Sequence, residues 1–174
     1  GKTLSEISKL LREEDEEAYL VVSQKHIVFR ISGYYVVSRL LEGDFLDYNA
    51  AIPKISKTTV KINIRSLTDS VERTSLLISD RLRSPIRLVV TENKVQLSCS
   101  TAMGKAHDEV DCEVSGEAVS MGFNNKYLLD ALKASDCDMV RLEINGALSP
   151  MRMIPMEGDS FLFLVLPVRV KNDD

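Results

Sequence analysis

One pattern recurs along the chain and restricts the folds available to it: a helix-forming segment followed by two strand-forming segments. The helical segments are TLSEISKLLRE (3–13), SLTDSVERTSLLI (66–78) and NNKYLLDALKAS (124–135). Each has apolar residues at helical spacing. Each also begins at a candidate N-cap residue. This residue is Thr3 in the first segment, where Glu6 completes a capping box, Ser66 in the second and Asn124 in the third. The sequence therefore predicts three amphipathic helices.

A strand, a polar turn and a second strand are predicted after each helix. The paired strands lie within 18–32, 86–100 and 138–155, with turns at 23–25, 92–94 and 145–146. In the first two pairs, Leu-Val-Val precedes the turn and alternating apolar and polar residues follow it, as in half-buried antiparallel strands. A unit copied along the chain predicts an α+β fold of repeated helix-plus-antiparallel-strands units, with helices on one side and sheets on the other. Each unit is expected to hold one helix and about three or four strands.

The repeat also predicts two domains of unequal completeness. A boundary is expected near Pro53–Lys57, which assigns residues 1–54 one unit and residues 55–174 two. The second domain is complete, whereas the first lacks a unit that we expect upstream. Because residue 1 is not Met, we expect a fragment of a longer protein, which protease should cut near 53–57 or in a charged loop at 101–110.

Composition excludes several classes of protein. Apolar residues make up 44% and charged residues 28%, which is typical of a globular chain. No apolar run reaches the roughly 18 residues of a membrane span, and the first residues do not resemble a signal peptide. With three cysteines, two histidines and no C-x-x-C spacing, we expect reduced thiols in a cytoplasmic protein without metal or cofactor.

Nothing in the sequence indicates catalysis. The run REEDEEA (12–18) has consecutive carboxylates, which are typical of a solvated loop, whereas an acid–base site needs carboxylates from separate elements. Nucleophile-elbow, Walker and dinucleotide-binding motifs are absent. His26 and His107 have no evident triad partner, so we expect no catalytic residues.

The segment FLFLVLPVRV (161–170) is strongly apolar and is interrupted by Pro167. An apolar edge strand left open promotes aggregation, so this segment must be covered by the same chain or by a partner. Alternation assigns Phe163 and Val165 to one face and Leu164 and Leu166 to the other. Because Pro167 lacks a backbone donor, we expect regular pairing to end there and residues 168–170 to line a surface.

Four motifs in order resemble the C-terminal half of the bacterial DNA polymerase III beta subunit, the sliding clamp. They are SRLLEGDFLDYNAAIPK (38–54), MGFNNKYLLDALKA (121–134), LEINGALSPMRM (142–153) and the terminal FLFLVLPVRV. The resemblance covers nearly the whole chain. It implies a non-catalytic processivity factor with three similar domains, which pairs head to tail as a homodimeric ring around duplex DNA. Residues 1–54 would be the second half of the middle domain, and 55–174 the C-terminal domain.

The resemblance further implies a peptide-binding groove between the two domains for the polymerase III catalytic subunit, the clamp loader and other proteins with clamp-binding motifs. The implied groove positions are Leu46, Ala50, Ala51, Asn124, Tyr127, Pro150, Leu164, Val165, Leu166, Pro167, Val168, Arg169 and Val170. Leu46 stands where many members carry Pro. Ala50 and Ala51 replace larger side chains, so a wider pocket is expected. The acidic end KNDD (171–174) extends past the usual terminus and is expected to shade the groove.

Basic residues of the three helical segments are the candidates to face DNA in such a ring. They are Lys2, Lys9, Arg12, Arg65, Arg73, Lys126 and Lys133, although a solvated helix face would show the same residues. By resemblance, Lys2 and Lys9 lie near DNA. The net charge of −4 argues against a tight free-standing DNA binder, but a basic lining in an acidic body gives the weak attraction that sliding requires.

Leu76, Leu77 and Ile78 are consecutive, so a single helix stripe cannot bury all three. They form either a buried helix end or a subunit interface, and the resemblance assigns Leu76 and Leu77 to the interface.

Two alternatives to the clamp stay open from the residues: a β-rich binding or dimerisation module unrelated to replication, and a hydrolase that uses the acidic residues. Helices on both faces of a sheet would exclude the clamp.

Overall fold

The computed structural model describes residues 1–11, 17–78 and 84–170. Contacts divide the chain into two compact units, Gly1–Leu46 and Asp47–Asp174, here called the N-terminal and C-terminal units. The domain boundary near 53–57 stays a prediction. Residues 12–16 of the acidic run and the end 171–174 lie outside the described residues.

The N-terminal unit is one helix with a three-stranded antiparallel sheet in the order β1-β2-β3. Its elements are α1 (Lys2–Leu10), β1 (Tyr19–Val22), β2 (His26–Ile31) and β3 (Tyr34–Arg39). The predicted turn at 23–25 is confirmed, because it joins β1 to β2. A small core of Ile7, Phe29 and Ile31 lies between helix and sheet. All four residues of β1 are exposed, so the unit leaves one apolar edge strand uncovered.

The capping box predicted for α1 is wrong. The helix begins at Lys2, its N-cap is Gly1, and no side chain caps it. Thr3 therefore lies inside the first turn, where its hydroxyl is 3.0 Å from the Ser38 hydroxyl on β3. The predicted apolar face is also only partly used, since Ile7 is buried while Leu4 is 60% exposed.

The C-terminal unit contains two five-stranded antiparallel sheets, ordered β12-β11-β10-β4-β8 (the first sheet) and β13-β9-β5-β6-β7 (the second sheet). Its elements are α2 (Tyr48–Ala51), β4 (Thr58–Asn63), α3 (Ile64–Ser75), β5 (Ile86–Val90), β6 (Lys94–Thr101), β7 (Gly104–Asp111), β8 (Glu113–Gly116), β9 (Val119–Phe123), α4 (Asn125–Lys133), β10 (Met139–Ile144), β11 (Met151–Pro155), β12 (Phe163–Val165) and β13 (Pro167–Val168).

Each copy of the repeat has one helix and four strands, as predicted, but one of these strands precedes the helix, which was not predicted. One copy is β4-α3-β5-β6-β7 and the other is β9-α4-β10-β11-β12. The first strand of each copy pairs into the sheet of the other copy: β4 pairs with β10, and β9 pairs with β5. After each copy the chain crosses to the opposite sheet, where β8 pairs with β4 and β13 pairs with β9. The two copies therefore interlock.

One hydrophobic core joins the helices to both sheets. Its fully buried side chains include Ile62, Leu67, Leu88, Leu128 and Leu142, which come from both copies. Helix α3 packs against α4 and covers β5, β6 and β7, and α4 contacts β12. The predicted α+β fold of antiparallel sheets and a few helices is confirmed.

Of the two caps predicted for helices of the C-terminal unit, one is correct and one is wrong. Asn124 caps α4 as predicted, and its side chain accepts a hydrogen bond from the Lys126 N–H at 2.9 Å. Helix α3 begins two residues before Ser66, because Asn63 at the end of β4 accepts the Ser66 N–H at 3.0 Å. Ser66 is thus a donor within the first turn and not the cap.

Two loops also differ from prediction. The segment 101–110 is not a charged loop, because β6 pairs with β7 over 94–101 and 104–111, and His107 lies on β7. The connection after Ile144 runs to Met151 and is not a two-residue turn at 145–146. Here the Ser149 N–H donates to the Gly146 carbonyl at 3.1 Å, which gives a longer compact loop.

Candidate functional site

The terminal apolar segment closes the edges of both sheets. Strand β12 pairs with β11 at the edge of the first sheet. Strand β13 then pairs with β9 at the edge of the second, with Pro167 opposite Phe123 and Val168 opposite Gly122. The expectation that Pro167 ends regular pairing is therefore wrong. An edge strand tolerates proline because one side of the strand needs no donor. Leu166, at the crossing, is 64% exposed.

Residues 168–170 lie against β9 at a distance that only glycine allows. A Cβ built on Gly122 would be 2.3 Å from Val170 Cγ2 and 2.7 Å from the Val168 carbonyl oxygen. Both distances are far below ordinary van der Waals contact. Gly122 is therefore the residue that lets the terminal segment dock on the second sheet.

A cavity of about 360 Å³ lies beside this docked segment. Gly122, Leu148, Val168 and Val170 line it, together with Arg87 and Arg169. Leu148 is 69% exposed, so the cavity opens to solvent with apolar walls. Such a lining suits an apolar side chain of a linear ligand. We call these six residues the terminal groove.

The structure brings only some of the predicted groove positions to this cavity, namely Val168, Arg169 and Val170. Tyr127 is 63% exposed on α4, the helix that contacts β12. Asn124 serves as the α4 cap, Pro150 is half-buried just before β11, Leu164 and Pro167 are half-buried, and Val165 is buried. Ala50 and Ala51 are exposed on α2, and Leu46 is 75% exposed at the end of the N-terminal unit.

Sequence reasoning missed Gly122, Leu148 and Arg87 as groove residues. Gly122 and Leu148 lie within the motifs 121–134 and 142–153. The cross-strand register is what puts Arg87 beside Gly122, and that register could not be read from the sequence.

Three of the six candidate DNA-facing residues that the structure describes have an ion pair. Lys9 pairs with Glu6 at 2.8 Å, and Lys133 pairs with Glu72 at 2.7 Å. Arg73 Nε donates to Asp108 Oδ2 at 2.8 Å. Burial raises the pKa of Asp108, but its hydrogen bonds, first among them the one from Arg73, and the charge of Arg73 together outweigh burial, so the pKa lies below its ordinary value. Lys2, Arg65 and Lys126 are exposed, and Arg12 lies outside the described residues.

Charge is distributed unevenly between the helices and the rest of the chain. Helices α1, α3 and α4 hold six basic and four acidic residues. Since the whole chain has 22 basic and 26 acidic residues, 16 basic and 22 acidic residues remain outside these helices. The helices are therefore slightly basic within an acidic protein.

The three consecutive apolar residues after α3 have different surroundings. Ile78 packs against the core, and Leu77 is half-buried close to Gly104, at the start of β7. Leu76 is 83% exposed. A buried helix end therefore describes Ile78 but not Leu76.

Within the described ranges, no group of three or more His, Cys, Asp or Glu side chains could hold a metal ion. His26 and His107 are both exposed. Among the same residues, no helix combines the length and apolarity that a membrane crossing needs.

The C-terminal unit has interlocked strand–helix–strand repeats with paired helices, and its terminal segment closes both sheets. This arrangement is the fold class of DNA sliding clamps. Residues 49–169 match the family described as DNA polymerase III beta subunit, C-terminal domain. The chain belongs to this family.

Known clamps are similar over nearly the whole chain. The beta sliding clamp of Staphylococcus epidermidis is 33% identical over 171 residues, which are 97% of this chain and 45% of that protein. The crystal structure of the Bacillus subtilis sliding clamp matches with a TM-score of 0.87 and 28% identity, over 98% of this chain and 46% of that one. A Bartonella birtlesii clamp, described as bound to griselimycin, matches with a TM-score of 0.86 and 27% identity over 97% and 46%. The chain thus spans a little under half the length of these relatives.

Proposed function

We propose that this chain is the C-terminal half of a DNA sliding clamp, a non-catalytic processivity factor that encircles duplex DNA as a homodimeric ring. The observation that carries the proposal is the pairing of α3 and α4 beside both sheets, in a chain of the beta subunit family. Such paired helices supply an inner surface of a ring, and the sheets an outer one.

The charges of the helices fit a surface along which DNA moves. Ion pairs with Glu6, Asp108 and Glu72 offset part of the attraction that Lys9, Arg73 and Lys133 would exert on phosphates. A small basic excess gives a weak, salt-sensitive attraction, whereas many unpaired cations would hold DNA in place. We infer that the clamp retains DNA by enclosing it.

Ring closure requires apolar surface for partner domains, and the chain offers it in two places. Leu76 is exposed beside half-buried Leu77, which supports the predicted subunit interface. In the N-terminal unit, the exposed residues of β1 form an apolar edge that the other half of the middle domain would cover. The ring would therefore need the part of the relatives' length that this chain does not match.

The terminal groove is our candidate for the site that tethers the polymerase III catalytic subunit, the clamp loader and other clamp-binding proteins. Its apolar walls around Leu148 and Val168 support this assignment. A relative bound to griselimycin supports ligand binding by this family. For the longer protein that the proposal implies, we expect about micromolar affinity for a Gln- and Leu/Phe-containing linear peptide, near −8 kcal/mol, and weaker binding for this chain alone.

Photo-crosslinking tests which surface faces DNA. A photoreactive residue is placed at Lys126 on α4 or at Lys94 on β6, in the longer protein loaded onto circular DNA. The proposal predicts DNA adducts from position 126 and few from 94. Adducts mainly from position 94 would contradict a ring lined by helices and would favour a binding module unrelated to replication.

A further inference from the structure

A second cavity, of about 660 Å³, lies on the solvent face of the second sheet. Three cationic side chains line it: Arg87 from β5, Lys105 from β7 and Arg169 from the terminal segment. The hydroxyls of Ser98 and Ser100 and the imidazole of His107 complete its polar lining. Its volume lies within the range of ligand-binding sites, about 300–1,000 Å³.

The register of the sheet explains why these side chains converge. Val168 is opposite Gly122, Gly122 is opposite Arg87, Arg87 is opposite Ser98, and Ser98 is opposite His107. These positions form one row across all five strands. Lys105 lies opposite Ser100, two residues further along β6 and thus on the same face. Arg87 is also oriented, because its Nε donates to Ser120 Oγ at 3.0 Å.

The described lining of the cavity carries no negative charge to match these cations. Among the lining residues that the structure describes, none is Asp or Glu. Over the described part of the chain, none of Arg87, Lys105 and Arg169 forms an ion pair, whereas Lys94 on the same face pairs with Glu109. Three like charges around one cavity repel one another, so an anionic ligand would be favoured there.

The cationic cavity adjoins the terminal groove, because Arg87, Arg169 and Val170 line both. It also lies on the sheet face opposite to α3, since the buried side chains of β5 and β6, such as Leu88 and Leu97, point to the helix side. DNA that runs along the helices would not reach it. An apolar site that leads into a cationic one instead suits a peptide with neighbouring apolar and acidic residues.

Resting on the proposed peptide-binding function, we infer that the clamp's peptide ligands place acidic side chains in this cationic cavity while their apolar residues occupy the terminal groove. Arg87, Lys105 and Arg169 then select for acidic residues beside the apolar motif. Because these cations are exposed, the selectivity weakens as salt screens them.

The test titrates the 174-residue chain with two peptides and follows backbone amide chemical shifts. Both peptides have the same Gln-, Leu- and Phe-containing core, flanked at each end by Ser-Ser in one and by Asp-Asp in the other. We expect both to shift Gly122 and Leu148, and only the Asp-flanked peptide to shift Ser98 and Lys105. Its dissociation constant should be about tenfold lower at low salt.

Matched variants isolate the cavity. Lys105→Gln should weaken binding of the Asp-flanked peptide about fivefold and leave the Ser-flanked peptide unchanged. Lys94→Gln removes one charge from the same sheet face outside the cavity and should affect neither peptide.

Equal affinity of both peptides, with the groove amides still shifting, would overturn the inference and leave the proposed groove intact. If neither peptide shifts Gly122 or Leu148, the proposed groove fails and the inference fails with it. A short DNA duplex that shifts Ser98 and Lys105 more than the Asp-flanked peptide does would overturn the inference in favour of a nucleic-acid site.

Discussion

Substituting Gly122 by Ala tests how the terminal segment is held. The new methyl group would lie 2.3 Å from Val170 Cγ2 and 2.7 Å from the Val168 carbonyl oxygen. Since ordinary contacts are about 3.5–4.0 Å, the valine side chain must move by more than about 1 Å, and the carbonyl by nearly as much. That carbonyl belongs to β13, so its movement breaks the pairing of β13 with β9.

The cost of this change is limited because β13 has only two residues. Overpacking of this kind typically destabilises a domain by about 1–3 kcal/mol, and we expect the segment to undock rather than the whole unit to unfold. Urea denaturation of Gly122→Ala, followed by tyrosine fluorescence or by circular dichroism, measures the decrease in the free energy of unfolding. Amide shifts of residues 168–170 report undocking.

Gly146→Ala is the matched control, because nothing lies within 4 Å of a Cβ at that position. We expect its free energy of unfolding to change by no more than about 0.5 kcal/mol. If Gly122→Ala unfolds at the same urea concentration as this control and its 168–170 amides do not shift, the close approach of the terminal segment to β9 is refuted.

Three further predictions follow from named residues. In the longer protein, Leu76→Ala should weaken dimerisation by about 1–2 kcal/mol and shift dimer toward monomer in sedimentation at low concentration. Leu41→Ala, at a residue 97% exposed, should not do so. A Leu76→Ala dimer that is unchanged would contradict the predicted subunit interface. The lowered pKa of Asp108 means that its pairing with Arg73 stabilises the fold above the unfolded pKa, about 3.9, and that this stability is lost as pH falls through the folded pKa. Because the pair is partly exposed, the effect should stay below about 1 kcal/mol. An Asp108→Asn variant that loses as much stability below pH 4 as the parent would refute this role of the pair. This chain alone should bind duplex DNA at roughly 10⁻⁴ M in physiological salt, so a nanomolar, sequence-specific gel shift would contradict the ring mechanism.

Local patterns predicted the parts of the fold that depend on nearby residues. Asn124 caps α4, and Leu128, Ala131 and Leu132 are buried as their spacing indicated. The turn at 23–25 needs only polar residues between two apolar runs, and it was also correct. Thr3 and Ser66 were less predictable as caps, because Gly1 and Asn63 precede the two helices and take that position.

Features that depend on distant pairing were not predictable. Nothing local indicates that β4 pairs with β10, which lies far along the chain, so the strands that precede α3 and α4 were missed. The pairing of Pro167 was not predictable either. The sequence shows only that proline lacks a backbone donor, whereas the position of Pro167 depends on the edge strand β9 of the second sheet, where it lies opposite Phe123. Arg87 joins the candidate site only through its register with Gly122.

The most direct test of the central proposal asks whether the protein retains DNA by enclosing it. The longer protein is loaded by its clamp loader onto nicked circular DNA, isolated by gel filtration in high salt, and then treated with a restriction enzyme that linearises the DNA. A ring should stay on the circle at high salt and leave once the DNA has ends. Loss from the intact circle at high salt, or equal retention on linear DNA, would contradict the account.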